Sequence, residues 1–200
     1  MKNAKQIINK LHIPGAITLM SLLFSWIAIL LLLSNNLKAS VVMAVGAFLL
    51  DSLDGFVARK LNLISEFGRQ LDSIVDSFNY SLLSALVIWK EILPGTLGAI
   101  VGFIVIATGI IRLAGFNQEG YIKKKGITYY RGLITCHLSL ITFIFLIIVH
   151  VVQLPQLLVA GCISIFALLQ LSNIKTRKSG ALLFWAPVAI IIGIIGFIWL

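Results

Sequence analysis

Two hundred residues, 60% of them hydrophobic and with a mean hydropathy of +1.05, are too apolar for a soluble domain and leave no room for one beside a membrane bundle. A net charge of +9 could suit nucleic acid, but the positions of the charges follow membrane orientation instead, so no nucleic-acid partner is expected. Cys136 and Cys162 both lie in apolar stretches, which reads as two buried thiols and not as a disulfide or a metal pair.

Residues 1–13 carry Lys2, Lys5 and Lys10 beside Ile7, Ile8 and Leu11, the pattern of a short amphipathic helix on the membrane surface, ended by Pro14 and Gly15. The apolar run that follows is about twenty residues long and has no A-x-A site, so it reads as a retained span and not as a signal peptide. Seven apolar segments follow in all, at 15–34, 38–58, 68–89, 95–116, 132–150, 155–172 and 181–200, each near the roughly 20 residues a bilayer requires. The expectation is a single all-α domain over 1–200, a polytopic membrane bundle of six or seven spans, with the seventh the one most open to being tilted or interfacial. Alternating the loops from a cytoplasmic N-terminus places Lys2, Lys5, Lys10, Arg59, Lys60, Arg69, Arg112, Lys123, Lys124, Lys125, Arg131, Lys175, Arg177 and Lys178 inside, against Lys38 and Lys90 outside. That asymmetry satisfies the positive-inside rule, and Trp89 and Trp199 then fall near the outer interface.

The polar exception is the stretch 51–76, DSLDGFVARKLNLISEFGRQLDSIVD, which holds all four aspartates of the chain. An ionisable group at membrane depth is by default a functional-site signal. Asp51, Asp54, Gly55, Ala58 and Arg59 fall at helical offsets on one stripe, and Gly68, Asp72 and Asp76 form a second stripe. Both lie at the cytoplasmic ends of consecutive spans, joined by a short connection, so four carboxylates can converge. Such a cluster repels itself unless protons or hard divalent cations, Mg²⁺ or Mn²⁺, relieve it. The small residues leave room for an extended ligand, and Arg59 suits phosphate oxygens. Metal, phosphate and space for a nucleotide together suggest phosphoryl transfer; a polar packing interface or a proton relay would not need these glycines and this arginine.

The stretch fits D-x2-D-G-x2-A-R-x8-G-x3-D-x3-D at all eight fixed positions and resembles the signature of the CDP-alcohol phosphatidyltransferases, integral membrane enzymes of phospholipid synthesis. The resemblance implies that Asp51, Asp54, Asp72 and Asp76 hold two divalent ions, with Asp76 also taking the proton from an acceptor hydroxyl as CMP leaves a CDP-linked lipid such as CDP-diacylglycerol. It implies that Gly55, Ala58, Arg59 and Gly68 face the nucleotide and diphosphate. Ser65 joins them as a phosphate or ribose ligand or, equally, caps the third span. It further implies a homodimer among membrane lipids, with the active site on the cytoplasmic side of the cell membrane.

The acceptor is read further on. Arg112-Leu113-Ala114-Gly115-Phe116-Asn117 and Tyr130-Arg131-Gly132-Leu133-Ile134 resemble stretches of the phosphatidylserine synthase branch, and the resemblance covers roughly residues 45–135. Gly115 and Ile134 depart from that branch, as does Asn79-Tyr80-Ser81, where the branch tends to carry Phe-Gly followed by proline. The position after Asp76 is Ser77, not the lysine or arginine of the glycerol-phosphate and inositol-phosphate users. Serine is therefore the first acceptor, with another polar alcohol as the alternative. Arg112, Asn117 and Arg131 are the candidate acceptor ligands; Asn117 reads equally as a helix cap, and Arg131 equally as an orientation signal. His137 reads as hydrogen-bonded packing and His150 as remote from the site. An ion-coupled transporter using the same aspartates is the rival from another class, and it would predict discontinuous helices near the midplane.

Overall fold

The computed structural model describes residues 12–124, 127–177 and 181–200. The expected surface helix at 1–13 and Lys125 therefore fall almost wholly or wholly outside the described residues. Among those described, seven helices follow in order: α1 (Ile13–Leu33), α2 (Leu37–Lys60), α3 (Glu66–Ile92), α4 (Thr96–Glu119), α5 (Thr135–Val151), α6 (Gln156–Leu169) and α7 (Ala181–Trp199). They match the seven apolar segments one for one. The first four are long and apolar enough to cross a membrane; α5, α6 and the apolar stretch Trp185–Trp199 of α7 are shorter. The sequence did not indicate a small antiparallel sheet, ordered β1 (Ile122–Lys124), β2 (Ile127–Arg131) and β3 (Lys175–Arg177). Tyr129 pairs with Ile122 on one side and Arg177 on the other.

The helix boundaries follow from local chemistry. Pro14 sits in the first turn of α1, where its missing N–H is no loss. Asn35, at φ 61°, reverses the chain, and the Asn36 side chain accepts from Ala39 N to start α2. Lys90 donates to the carbonyls of Leu32 and Leu33, satisfying acceptors at the C-terminal end of α1.

In lipid, apolar side chains gain little by leaving their surroundings, so close backbone approach does more of the packing. A Cβ on Gly102 would lie 3.1 Å from the Ala85 carbonyl, and one on Gly109 would lie 2.1 Å from Ser81 Oγ, so α4 seats directly on α3. Gly193 similarly lets α7 meet Val45 of α2. The second half of α3, with Leu83, Val87 and Ile88 buried, forms the centre of the bundle. Its helix is α-helical to Asp76, π-helical over Ser77–Leu82, and π-helical again over Ile88–Ile92.

Candidate active site

The two acidic stripes meet because the chain folds back sharply between them. The connection Leu61–Ser65 turns through Asn62 at φ 54°, and Ser65 Oγ accepts from Gly68 N at 3.0 Å to start α3. Of the two readings for Ser65, capping is thus seen directly. Steps of three and four residues keep Asp51 and Asp54 on one side of α2, and Asp72 and Asp76 on one side of α3. Asp51, Asp72 and Asp76 each present a carboxylate oxygen, and these lie within 4.8 Å of one another. Asp51 Oδ1 and Asp76 Oδ1 are buried without a hydrogen-bond partner. Buried acceptors left in this state call for a donor or a cation, and an all-carboxylate donor set fits a hard divalent ion. Asp54 borders the same chamber, but its Oδ2 accepts from Thr18 Oγ1 of α1 at 2.6 Å.

The chamber encloses about 880 Å³ of empty space out to its open mouth. Its floor is the aspartate cluster, and its walls include Arg59, Arg112, Tyr130, Thr135 and Trp185. A second opening of about 1010 Å³ adjoins it between the start of α1 and the α2–α3 connection, and shares Asp54, Asp72 and Arg59 with it. All five residues expected to face the nucleotide, Gly55, Ala58, Arg59, Ser65 and Gly68, line this opening. Arg59 lies back along its own helix: a Cβ on Gly55 would be 3.3 Å from Arg59 Nη1.

The three acceptor candidates separate. Arg112 is only 8% exposed and faces the acidic chamber. Its Nη1 donates to Thr135 Oγ1 at 3.3 Å, its Nε is buried without a partner, and its guanidinium carbon lies 5.5 Å from the Phe116 ring centre and 5.7 Å from that of Tyr130. Those two rings adjoin each other, with centres 5.6 Å apart, so the cation rests against both from one side and keeps donors for a ligand. Arg131 lies beyond it, lining a further open pocket with Gly115 and Gln170, and pairs with Glu119 at 2.6 Å. Asn117 Oδ1 accepts from Ser73 Oγ at 3.1 Å, tying α4 to α3, while Gly120 at φ 69° ends the helix in its place. Burial and the neighbouring Tyr121 push the Tyr130 hydroxyl upward in pKa, so it remains a donor.

Several wall residues were not singled out from sequence. Thr18 heads a buried polar stripe on α1 with Ser21 and Ser25 at helical offsets, a signal available in principle. Tyr80, which stands out in the sequence only as a departure from the phosphatidylserine synthase branch, lies four residues beyond Asp76, and its hydroxyl donates to Asp51 Oδ2 at 2.6 Å. Trp185 had no such signal. His137 packs against it with ring centres 4.1 Å apart and planes tilted by 44°, and His137 Nε2 lacks a hydrogen-bond partner, so the packing expected of this histidine is seen without a hydrogen bond at that ring nitrogen. His150 lies near the opposite end of α5 from Thr135, and its ring nitrogen meets the Leu146 carbonyl.

A bundle of apolar helices carries a half-buried carboxylate cluster at one end, with the buried Arg112 and the exposed Arg59 beside it, which is the build of an integral membrane protein with a polar chamber. The chain belongs to the CDP-alcohol phosphatidyltransferase family, whose model matches residues 11–199. It is similar to the archaetidylserine synthase of Methanothermobacter thermautotrophicus, at 31% identity over 120 residues, which is 58% of this chain and 52% of that protein. It is also similar to the CDP-diacylglycerol–serine O-phosphatidyltransferases of Bacillus subtilis (31% identity, 54% of this chain and 62% of the relative) and Mycobacterium tuberculosis (32%, 55% and 39%). The chain thus spans about two-fifths to three-fifths of the length of these curated relatives.

Proposed function

We propose that this protein transfers a phosphatidyl group from a CDP-linked lipid, CDP-diacylglycerol first, to a small alcohol, L-serine first, and releases CMP. The observation that carries this reading is the convergence of Asp51, Asp72 and Asp76 within 4.8 Å, beside an opening lined by all five expected nucleotide-facing residues. The family match and the names of the relatives support the chemistry and the acceptor.

Asp51, Asp72 and Asp76 would hold a divalent cation, Mg²⁺ or Mn²⁺, with Asp54 completing the set for a second ion. When bound, such ions neutralise the diphosphate and stabilise the departing CMP. The protein's own groups do the rest. Gly55, Ala58 and Gly68 present bare backbone to the nucleotide, and Arg59 reaches the phosphates. Asp76 accepts the proton of the acceptor hydroxyl while the oxygen bonds to the lipid-side phosphorus and the bond from that phosphorus to the CMP oxygen breaks. Arg112 binds the acceptor's carboxylate. Arg131 and Asn117, engaged with Glu119 and Ser73, contribute to that pocket through its outer wall. The excess of Lys and Arg at this end of the bundle supports a cytoplasmic site and a cytoplasmic N-terminus, and a homodimer in the cell membrane follows the family resemblance.

The test is CMP release by purified protein from CDP-diacylglycerol with Mg²⁺ or Mn²⁺, offered serine, glycerol 3-phosphate, inositol, inositol phosphate, ethanolamine and choline in turn. Serine-dependent release is expected. Release with a different alcohol alone overturns the acceptor, and no release with any acceptor overturns the reading for this donor. A second expectation concerns Arg112. Replacing Arg112 with Gln removes the charge-assisted hydrogen bonds to the acceptor carboxylate, worth about 1.5–3 kcal/mol, so KM for serine rises about 10–100-fold while KM for CDP-diacylglycerol changes little. An unchanged serine KM removes Arg112 from the acceptor pocket.

A further inference from the structure

Resting on the cation reading above, a further question is what aims the Asp51 carboxylate. The geometry points to Tyr80 as a positioning residue, whose hydroxyl fixes Asp51 for the cation while the π-helical turn that carries it keeps it in register. Tyr80 is 4% exposed, and its hydroxyl donates to Asp51 Oδ2 at 2.6 Å. The other oxygen, Oδ1, is buried and has no partner, and Asp51 is a member of the cluster with Asp72 and Asp76. A neutral donor on one carboxylate oxygen restricts the rotation of the group without cancelling its charge. Tyr80 therefore orients a ligand without supplying a countercharge of its own.

The local helix explains how this residue reaches its place. Each step of four in an α-helix overshoots a full turn by about 40°, so the stripe Gly68, Asp72, Asp76 drifts around α3 as it proceeds. Continued unchanged, the drift would carry position 80 away from the cluster. The wider π-helical turn over Ser77–Leu82 lowers the rotation per residue and offsets that drift. Three consecutive side chains then pin the turn to three different helices. Asn79 Nδ2 donates to Ser21 Oγ of α1 at 2.8 Å. The Tyr80 ring meets Phe48 of α2 edge-on, with centres 5.9 Å apart. Ser81 fits against α4 because Gly109 has no side chain there. Phe48 lies one turn before Asp51, so α2 supplies both the ring contact and the acid that receives the hydroxyl.

The test uses full-length protein and Mn²⁺ alone, with no substrate, and follows the loss of the free-ion paramagnetic resonance signal on binding. Tyr80→Phe keeps the ring and removes only the hydroxyl, so a purely packing role leaves Mn²⁺ affinity unchanged. The expected result is binding about 10–100-fold weaker, with the Mn²⁺ concentration for half-maximal CMP release rising in step. Tyr129→Phe, which loses a hydroxyl outside the chamber, binds as wild type. Wild-type Mn²⁺ affinity in Tyr80→Phe overturns the positioning role and leaves the cation site standing. Failure of the wild type to bind Mn²⁺, or equal binding by Asp72→Ala, overturns the cation reading itself and this role with it. If Tyr80→Phe does not fold, the hydroxyl is structural, and the proposal fails on that outcome as well.

Discussion

Replacing Asp76 with Asn is expected to lower CMP release by about a thousandfold or more, and raising the Mn²⁺ concentration is expected not to restore it. The second half of that result separates the two duties proposed for this residue. A variant that has only lost a ligand atom binds the ion more weakly, and mass action at higher metal recovers it. Asn keeps the size and one carbonyl oxygen of the side chain but cannot take up a proton from an alcohol. Asp76 stands where both duties can be met, in the cluster with Asp51 and Asp72, with one oxygen buried and unpartnered, on the floor of the chamber that Arg112 also faces. Asp51→Asn, which disturbs a ligand alone, should by contrast recover a substantial part of its activity as Mn²⁺ is raised. Recovery of Asp76→Asn to more than about a tenth of wild-type turnover at saturating metal would remove the general-base role.

The pairing of two acidic stripes was legible because both ends of it are local. Three- and four-residue steps on two helices, joined by a connection as short as Leu61–Ser65, leave few arrangements other than the one found. What sequence could not give was the contribution of elements remote along the chain. Thr18 reaches Asp54 across 36 positions, and whether a threonine in an apolar span faces a site or a neighbouring backbone depends on how the helices pack. Trp185 enters the chamber wall because α7 packs against α2 and α5, which nothing local to residue 185 announces. The sheet was missed for the same reason: β2 is five residues long, and its second partner lies more than forty residues away, beyond two helices. Asn117 reads from sequence equally as an acceptor ligand or a helix cap; the cap reading fails because the helix runs on to Glu119 and Gly120 takes the positive φ that ends it, leaving Asn117 to accept from Ser73.

The sheet also sets the second large expectation, a loss of stability on replacing Gly132 with Ala. Gly132 follows β2 at φ 70°, a conformation that disfavours any side chain by about 1–2 kcal/mol. A Cβ there would lie 2.1 Å from the Gln170 carbonyl oxygen and 2.8 Å from its carbon, and backbone cannot move aside as a flexible side chain can. The neighbouring bonds allow no easy retreat. Gly132 N donates to Ile174 O at 2.7 Å, Thr176 Oγ1 donates to Gly132 O at 2.8 Å, and Leu133 N donates to Leu169 O at 3.0 Å. Conformational strain and collision together should exceed about 3 kcal/mol, a fall in the thermal midpoint of about 6 °C or more for a chain of this size. Gly120 provides the comparison, since its φ of 69° is nearly the same while a Cβ there meets nothing within 4 Å. Gly120→Ala should therefore show the conformational term alone, about 1–2 kcal/mol. Equal midpoints for the two variants would mean that the β2–α6 junction yields, and that the sheet does not hold Tyr130 against the chamber by this contact.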